Sequence, residues 1–273
     1  MSLQVVCGPF TPSLERAFLE RLREAAPGPG RLVAVVCPSR RLAERLERLV
    51  AVEAGLAALN LRFHTFHSLA LEALESGGGP RGRFVADGLF HDTVLNGLLD
   101  ETGARPSRGL AAAYRSSLRD LIDGGVDPVQ FREHLDGLAP DEAGRLRLSA
   151  LLGLQRRYLE RLESLGVLAP SGLTREASEA VAQGRAPRLA RYREFLYYGF
   201  YDLTGAQAEF FEAVTGAFPS ALFFPYRKGQ PAYQFADRFY RVRLGRAAAR
   251  HLEAEPGATA LGAALDALFV PGQ

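Results

Sequence analysis

The sequence predicts an α/β protein: a parallel β-sheet with helices packed on it, interrupted by an all-helical insertion. Three observations lead there. Three strand–turn–helix units follow one another up to Leu74, every periodic segment from about residue 87 to 181 is helical, and strand character returns between Arg193 and Phe224. Successive βα units imply strands that run the same way, with helices as their crossovers.

The elements follow in order. Leu3 to Cys7 (LQVVC) is a short apolar run of strand type, and Ser13 to Leu22 repeats apolar residues at helical spacing. Arg31 to Cys37 (RLVAVVC) is a second near-continuous apolar run, after which Pro38-Ser39 opens a helix through about Glu53 with Leu42, Leu46, Leu49 and Val50 on one face. Leu59 to His64 can form a third strand, and Thr65 can cap the helix Phe66 to Leu74. Gly77-Gly78-Gly79-Pro80 breaks this alternation. Helices are then expected near 88–102, 107–123, 128–136, 141–165 and 171–183. Arg193 to Phe200 (REFLYYGF) reads as an aromatic-rich strand, Thr204 caps a helix through about Ala217, and Ser220 to Phe224 (SALFF) is another buried strand. A final helix is expected at roughly 236–254, carrying Arg238, Arg241, Arg243, Arg246 and Arg250, before the Pro271-Gly272 end.

With 273 residues and a hydrophobic fraction of 47%, the chain can bury a full core. No apolar run of about 18 residues exists to span a bilayer. The amino terminus lacks the basic and apolar regions of a secretory signal, so no membrane association and a cytoplasmic location are expected. Cys7 and Cys37 both fall in expected strands and read as small buried hydrophobes. A formal net charge of +2 does not by itself advertise a nucleic-acid partner. Arginine supplies nearly all the positive charge, with Lys228 the single lysine.

The turn after the first strand reads Gly8-Pro9-Phe10-Thr11-Pro12-Ser13-Leu14-Glu15. A phosphate-cradling loop in that place has the form G-x-x-x-x-G-K-[ST]. Aligned on Gly8, the second glycine is Ser13, the lysine is Leu14 and the Mg²⁺-holding hydroxyl is Glu15. Either a degenerate nucleotide loop or an ordinary strand-to-helix turn fits these residues.

Other candidates also admit two readings. His64 and His67 have helical spacing for a metal pair but no nearby third ligand except Glu72, so a structural histidine where strand meets helix is the simpler account, and no metal is expected. Arg40 and Arg41 at a helix amino terminus can bind phosphate, or merely be solvated. Arg145, Arg147, Arg156, Arg157 and Arg161, and the arginines of the last helix, are interleaved with acids or apolar residues as on a solvated face. Tyr197, Tyr198, Phe200 and Tyr201 can stack bases or fill the sheet. Tyr226, Lys228 and Tyr233 lie in the loop after SALFF, at the edge where such sheets bind ligands. No nucleophile elbow, HExxH or paired catalytic carboxylate is present.

Four segments taken together resemble the first motor domain of a superfamily 1 helicase. The turn at Gly8 stands at the phosphate-loop position, and Val35 to Leu46 (VVCPSRRLAERL) resembles the next helicase motif, which lies near single-stranded DNA. Phe63 to Leu74 (FHTFHSLALEAL) is similar to the T-x-H-S-[LF] segment of UvrD- and RecB-type helicases. Leu196 to Val214 (LYYGFYDLTGAQAEFFEAV) resembles the DGF-x-x-[LF]-T-x-x-Q segment of AddB and RecC, and is the most specific of the four. The resemblance is to the amino-terminal part of an AddB/RecC-type subunit of a bacterial recombination helicase–nuclease.

That resemblance implies a P-loop NTPase (RecA-like) sheet with helices on both faces, formed by residues 1–82 and 190–273, and a helical insertion subdomain at 83–189. It implies a fragment of a longer protein, whose second motor domain and PD-(D/E)XK nuclease lie elsewhere, with neither unwinding nor nuclease activity of its own. Implied partners are DNA, single-stranded or forked, and a helicase or nuclease subunit. Thr65 and His67 become candidates for a DNA-facing turn, beside Arg40, Arg41, Tyr226 and Lys228. The departures matter as much: where an active motor ends a strand in Asp-Glu, Tyr197-Tyr198-Gly199 stands, and Asp202 falls four residues late as a turn residue or cap. With Lys, Ser/Thr, Asp and Glu all missing, no catalytic residue is assigned and ATP and Mg²⁺ are expected to be lost. The expected role is a DNA-path and subunit-docking scaffold; the alternatives are a piece of an active ATP-dependent enzyme and a pure protein-interaction module.

Overall fold

The computed structural model describes residues 3–25, 32–56, 59–75, 85–101, 108–134, 137, 141–169, 171–245 and 249–253. The chain divides into two compact units, one comprising Met1–Gly77, Ala177–Leu203 and Phe210–Gln273, the other Gly78–Glu176 and Thr204–Glu209.

The first unit is built on a six-stranded sheet in the order β3-β2-β4-β5-β1-β6. Its strands are β1 (Leu3–Gly8), β2 (Leu32–Val36), β3 (Leu61–His64), β4 (Tyr192–Tyr198), β5 (Ser220–Pro225) and β6 (Ala249–His251). All five pairings are parallel. The helices of the crossovers are α1 (Glu15–Ala25) after β1, α2 (Arg40–Arg48) after β2 and α3 (Phe66–Leu74) after β3. A helical turn at Leu49–Glu53 continues α2 to the expected end.

Alternation along the strands assigns each layer. Val33 and Val35 of β2, Leu196 and Tyr198 of β4, and Ala221 and Phe223 of β5 pack with Leu14, Phe18 and Leu22 and with Ala43 and Leu46 of α2. The intervening Tyr197 meets Phe66 of α3, ring centroids 6.1 Å apart, and Phe211, 4.8 Å away in a T-shaped pair. Helices therefore cover both faces of the sheet, and β4 is buried on both. One charge enters that strand: Glu194 is 5% exposed. Its Oε1 accepts hydrogen bonds from Arg21 Nε and Nη2 of α1 at 3.1 and 2.7 Å. Cys7 and Cys37 are free and buried, and burial pushes both thiols up to about 12.

The second unit is helical. It contains α4 (Gly88–Glu101), α5 (Arg108–Asp123), α6 (Pro128–Arg132) and α7 (Glu142–Ser164), close to the expected bounds. Leu95, Leu98 and Leu99 of α4, Leu118 and Ile122 of α5, and Leu154, Tyr158 and Leu162 of α7 share one core. Caps mark the starts: Asp127 accepts from the N–H of Val129 at 2.7 Å, and Asp141 from that of Gly144 at 2.6 Å. Arg145, Arg147, Arg156 and Arg161 on α7 are exposed, and Arg161 pairs with Glu101 at 3.0 Å, as a solvated face requires. Helices α8 (Gly172–Ala182) and α9 (Gly205–Ala217) are divided between the two units, with Ala177–Ala182 and Phe210–Ala217 in the first.

The carboxy-terminal stretch departs from expectation. Instead of one helix over 236–254, the chain makes a 3₁₀ segment Pro231–Ala236, a single α-turn Asp237–Phe239 and a π-turn Tyr240–Leu244, then enters the sheet as β6. The open edge of β1 supplies backbone partners that override the helical pattern, Leu252 N–H donating to Cys7 O at 2.7 Å. Arg246, the Gly77–Pro80 break and the Pro271-Gly272 end lie outside the described residues.

Gly199, which ends β4, has φ +81°, and a Cβ there would stand 2.6 Å from Leu42 Cδ2. Gly199→Ala is therefore expected to lower the unfolding free energy by about 2 kcal/mol, combining left-handed strain with a steric clash. Urea unfolding monitored by circular dichroism checks this, and an unchanged midpoint refutes it.

Candidate functional site

Because all six strands run in parallel, the turns that follow them gather on one edge of the sheet. The sequence candidates Arg40, Arg41, Thr65, His67, Tyr226 and Lys228 all follow carboxyl ends of strands and so share that edge.

The first turn is closed by its own side chains. Leu14 is fully buried among the residues of α1, α2 and the sheet, so the position that aligns with the lysine of a phosphate-loop motif is part of the core. Ser13 is buried, and its Oγ donates to Glu253 O at 3.1 Å. The Leu14 N–H donates to Pro9 O at 3.1 Å, across a cis Thr11–Pro12 peptide. Phe10 lies edge-on against Tyr198, centroids 5.4 Å apart, with the Arg45 guanidinium 6.0 Å from its ring centre. Glu15 accepts from Arg45 Nη2 at 2.7 Å. Gly8 is hemmed in as well, since a Cβ there would stand 2.9 Å from Leu252 Cβ.

The second and third turns spend their hydroxyls on caps. Ser39 Oγ accepts from the Leu42 N–H at 3.3 Å. This leaves Arg40 and Arg41 exposed on the first turn of α2, Arg40 in an i,i+4 pair with Glu44 at 3.1 Å. So open a pair holds the guanidinium weakly. Thr65 forms a capping box with Ser68, its N–H donating to Ser68 Oγ at 2.9 Å and its Oγ1 accepting from the Ser68 N–H at 3.3 Å. His67 is exposed.

The fourth and fifth turns separate buried from open aromatics. Tyr197 and Tyr198 are fully buried and Phe200 nearly so, in agreement with a core role, whereas Tyr201 stands out in solvent. Asp202 is exposed and its Oδ1 accepts from the Leu203 N–H at 2.8 Å, which makes it a turn residue; Thr204 is the cap of α9, with Gln207. Tyr226 is no surface group. It is buried, stacked on Tyr240 at 4.3 Å and donates to Asp237 Oδ1 at 2.7 Å. Burial, then the Asp237 hydrogen bond, push its hydroxyl up to about 12. Lys228 is exposed, and neither it nor Arg227 has an ion pair among the described residues.

One polar cluster was not visible in the sequence. His64 Nε2 lies 3.0 Å from Tyr192 Oη and 3.4 Å from Glu72 Oε2, Tyr192 Oη donates to Glu72 at 2.8 Å, and Arg191 pairs with Glu72 at 2.9 Å. The separation of 120 residues between Glu72 and Tyr192 hides it from any local pattern. It ties β3, α3 and the start of β4 together and engages His64 without His67. Among the described residues, no group of three or more His, Cys, Asp or Glu is placed to hold a metal ion. The described residues also bound cavities. One, of about 660 Å³, is bounded by Arg21, Arg191, Arg193 and Glu194, and another, of about 730 Å³, by Val126, Gln130, Phe131 and His134.

Buried polar groups give this unit two measurable properties. The Tyr197 hydroxyl is buried with no hydrogen-bond partner, and burial drives its pKa upward. Tyr197→Phe removes an unsatisfied group, so it is expected to raise the unfolding free energy by about 1 kcal/mol; a calorimetric Tm below that of the parent contradicts this. His64 has its pKa lowered from 6.5 by burial, with Arg62 acting the same way and Glu72 opposing. The unfolded chain thus takes up the proton first, so stability is complete above about pH 6.5 and falls as pH drops through that value toward the folded pKa. Denaturant unfolding across this window is expected to show a shallower decline in His64→Gln, the remainder coming from His91, whose pKa burial also lowers.

No protein-family model matches this chain, and no curated protein matches it.

Proposed function

We propose that the chain is a catalytically silent, helicase-like domain of the AddB/RecC type, with a P-loop-derived sheet that guides DNA and docks partner subunits in a recombination and repair complex. The observation that carries this reading is the division of labour along the carboxyl edge of the sheet. The turn in the nucleotide position is filled by Phe10, Ser13 and Leu14, while Arg40, Arg41, His67 and Lys228 on the neighbouring turns stay open to solvent.

Phosphoryl transfer works by placing cations and a metal around the transferring phosphate. Here the position of the lysine is a core leucine, the position of the metal-holding hydroxyl is a glutamate engaged with Arg45, and β4 ends in Tyr197-Tyr198-Gly199 with no carboxylate. No residue is therefore assigned a catalytic role, and ATP and Mg²⁺ have no assigned place. The exposed cations suit phosphate oxygens, which they can reach without base-specific contacts. A formal net charge of only +2 favours a second reading, a protein-docking module that meets DNA only through its partners.

Fluorescence anisotropy with a labelled single strand and a forked duplex across a salt series separates the two. The expected result is binding with a negative slope of log affinity against log salt, unaffected by Mg·ATP, and a slope shallower by about 1.4 for single strands in Arg40→Ala/Arg41→Ala, at roughly 0.7 for each phosphate no longer neutralised. Absence of binding at low salt selects the docking module.

A further inference from the structure

Tyr201 and Phe235 form an exposed aromatic pair on the loops that follow β4 and β5. Tyr201 is 53% and Phe235 58% exposed, with ring centroids 5.2 Å apart and planes at 87°. Of the neighbouring aromatics, Phe200, Tyr226 and Phe239 are buried, and Tyr233 and Tyr240 are half-buried. Two rings more than half exposed beside these more buried neighbours form an apolar surface that the described residues leave open.

We propose that Tyr201 and Phe235 are a base-stacking platform for single-stranded nucleic acid. This rests on the DNA-guiding reading above and gives it a specific contact. Edge-to-face geometry is a favoured aromatic arrangement that leaves ring faces available for a base. The rings meet each other, and the backbone behind both is fixed before any ligand arrives. Asp202 closes the turn behind Tyr201 through the Leu203 N–H, and the 3₁₀ segment bearing Phe235 is anchored by buried Ala236 and by the Tyr226–Asp237 hydrogen bond. A pre-set ring loses little conformational freedom on binding.

Charge complements the rings. Arg227 and Lys228 precede Phe235 on the same loop, without ion pairs among the described residues, and Gly229 with φ +77° turns the chain between them. Cations for the phosphates on the same loop as a ring for the bases is a combination that suits single strands. A paired duplex keeps its base faces stacked internally, so the platform selects unpaired strands. Stacking reads no donor or acceptor pattern, so little sequence preference is expected.

The test compares a labelled oligothymidylate with an abasic strand of equal length and charge, binding the full chain and Tyr201→Ala/Phe235→Ala. Expected is a preference of about tenfold for the base-bearing strand in the parent, abolished in the double variant, with abasic affinity and salt slope unchanged. The sequence has no tryptophan, so Phe235→Trp adds a reporter whose fluorescence is expected to be quenched by oligothymidylate and unchanged by the abasic strand. Equal affinity of the parent for both strands, or a preference that survives in the double variant, overturns the platform while a salt-dependent slope keeps the DNA reading; an apolar side chain of a protein partner is then the occupant. Failure of both strands to bind at low salt overturns the platform and the DNA reading together.

Discussion

Burial of β4 on both faces is the constraint from which the first unit is built. Phe195, Leu196, Tyr197 and Tyr198 are fully buried, and at about 1.5–3 kcal/mol per large apolar side chain these four positions alone outweigh any surface ion pair. A strand covered on both faces has to lie inside the sheet, with crossover helices above and below. Its one buried charge, Glu194, is tolerable only because Arg21 of α1 donates two hydrogen bonds to it. That link places α1 over β4, although α1 follows β1, which is two positions away in the sheet.

Function follows from how the polar groups at the carboxyl edge are used. Ser39 and Thr65 satisfy the amino termini of α2 and α3, which would otherwise leave bare backbone donors there. Tyr226, Ser13 and Glu15 are engaged in holding turns together. Among the described residues, Arg40, Arg41, His67 and Lys228 stay exposed on these turns, with Tyr201 and Phe235 as exposed rings. On the proposed DNA-guiding reading these groups, spread over several turns, are the track for a flexible polyanion, and a whole-chain charge near neutrality is compatible with a local field of this kind.

Much of this was legible in the sequence where the signal is local. Phe66–Leu74 has the expected bounds, because Thr65 is a cap and the apolar spacing behind it has one interpretation. The four long apolar runs became strands for the same reason. Legibility ended where distant residues decide. Ala249–His251 has no strand character of its own and is a strand because β1 lends it hydrogen-bond partners. The helical pattern from Arg238 therefore held through Leu244 and misled only beyond it, where Arg250 lies in a strand. Tyr226 looked like a loop residue and is stacked on Tyr240, whereas Phe235, further along the same loop, is exposed. Composition cannot tell these apart, since the difference is which ring is packed into the core. The His64–Glu72–Tyr192 cluster is hidden in the same way.

The closed first turn also bears on the history open to this chain. A lysine at position 14 would have to enter a site where Leu14 has no exposure, placing an unpaired ammonium at a cost of several kcal/mol among Phe18, Leu22 and Tyr198. A threonine at 15 would also release Arg45 from its partner. Each step toward a nucleotide-holding turn thus passes through a less stable protein, whereas drift among apolar residues at position 14 does not. Packing alone therefore holds position 14 apolar: selection for a sound core is enough to keep this turn closed.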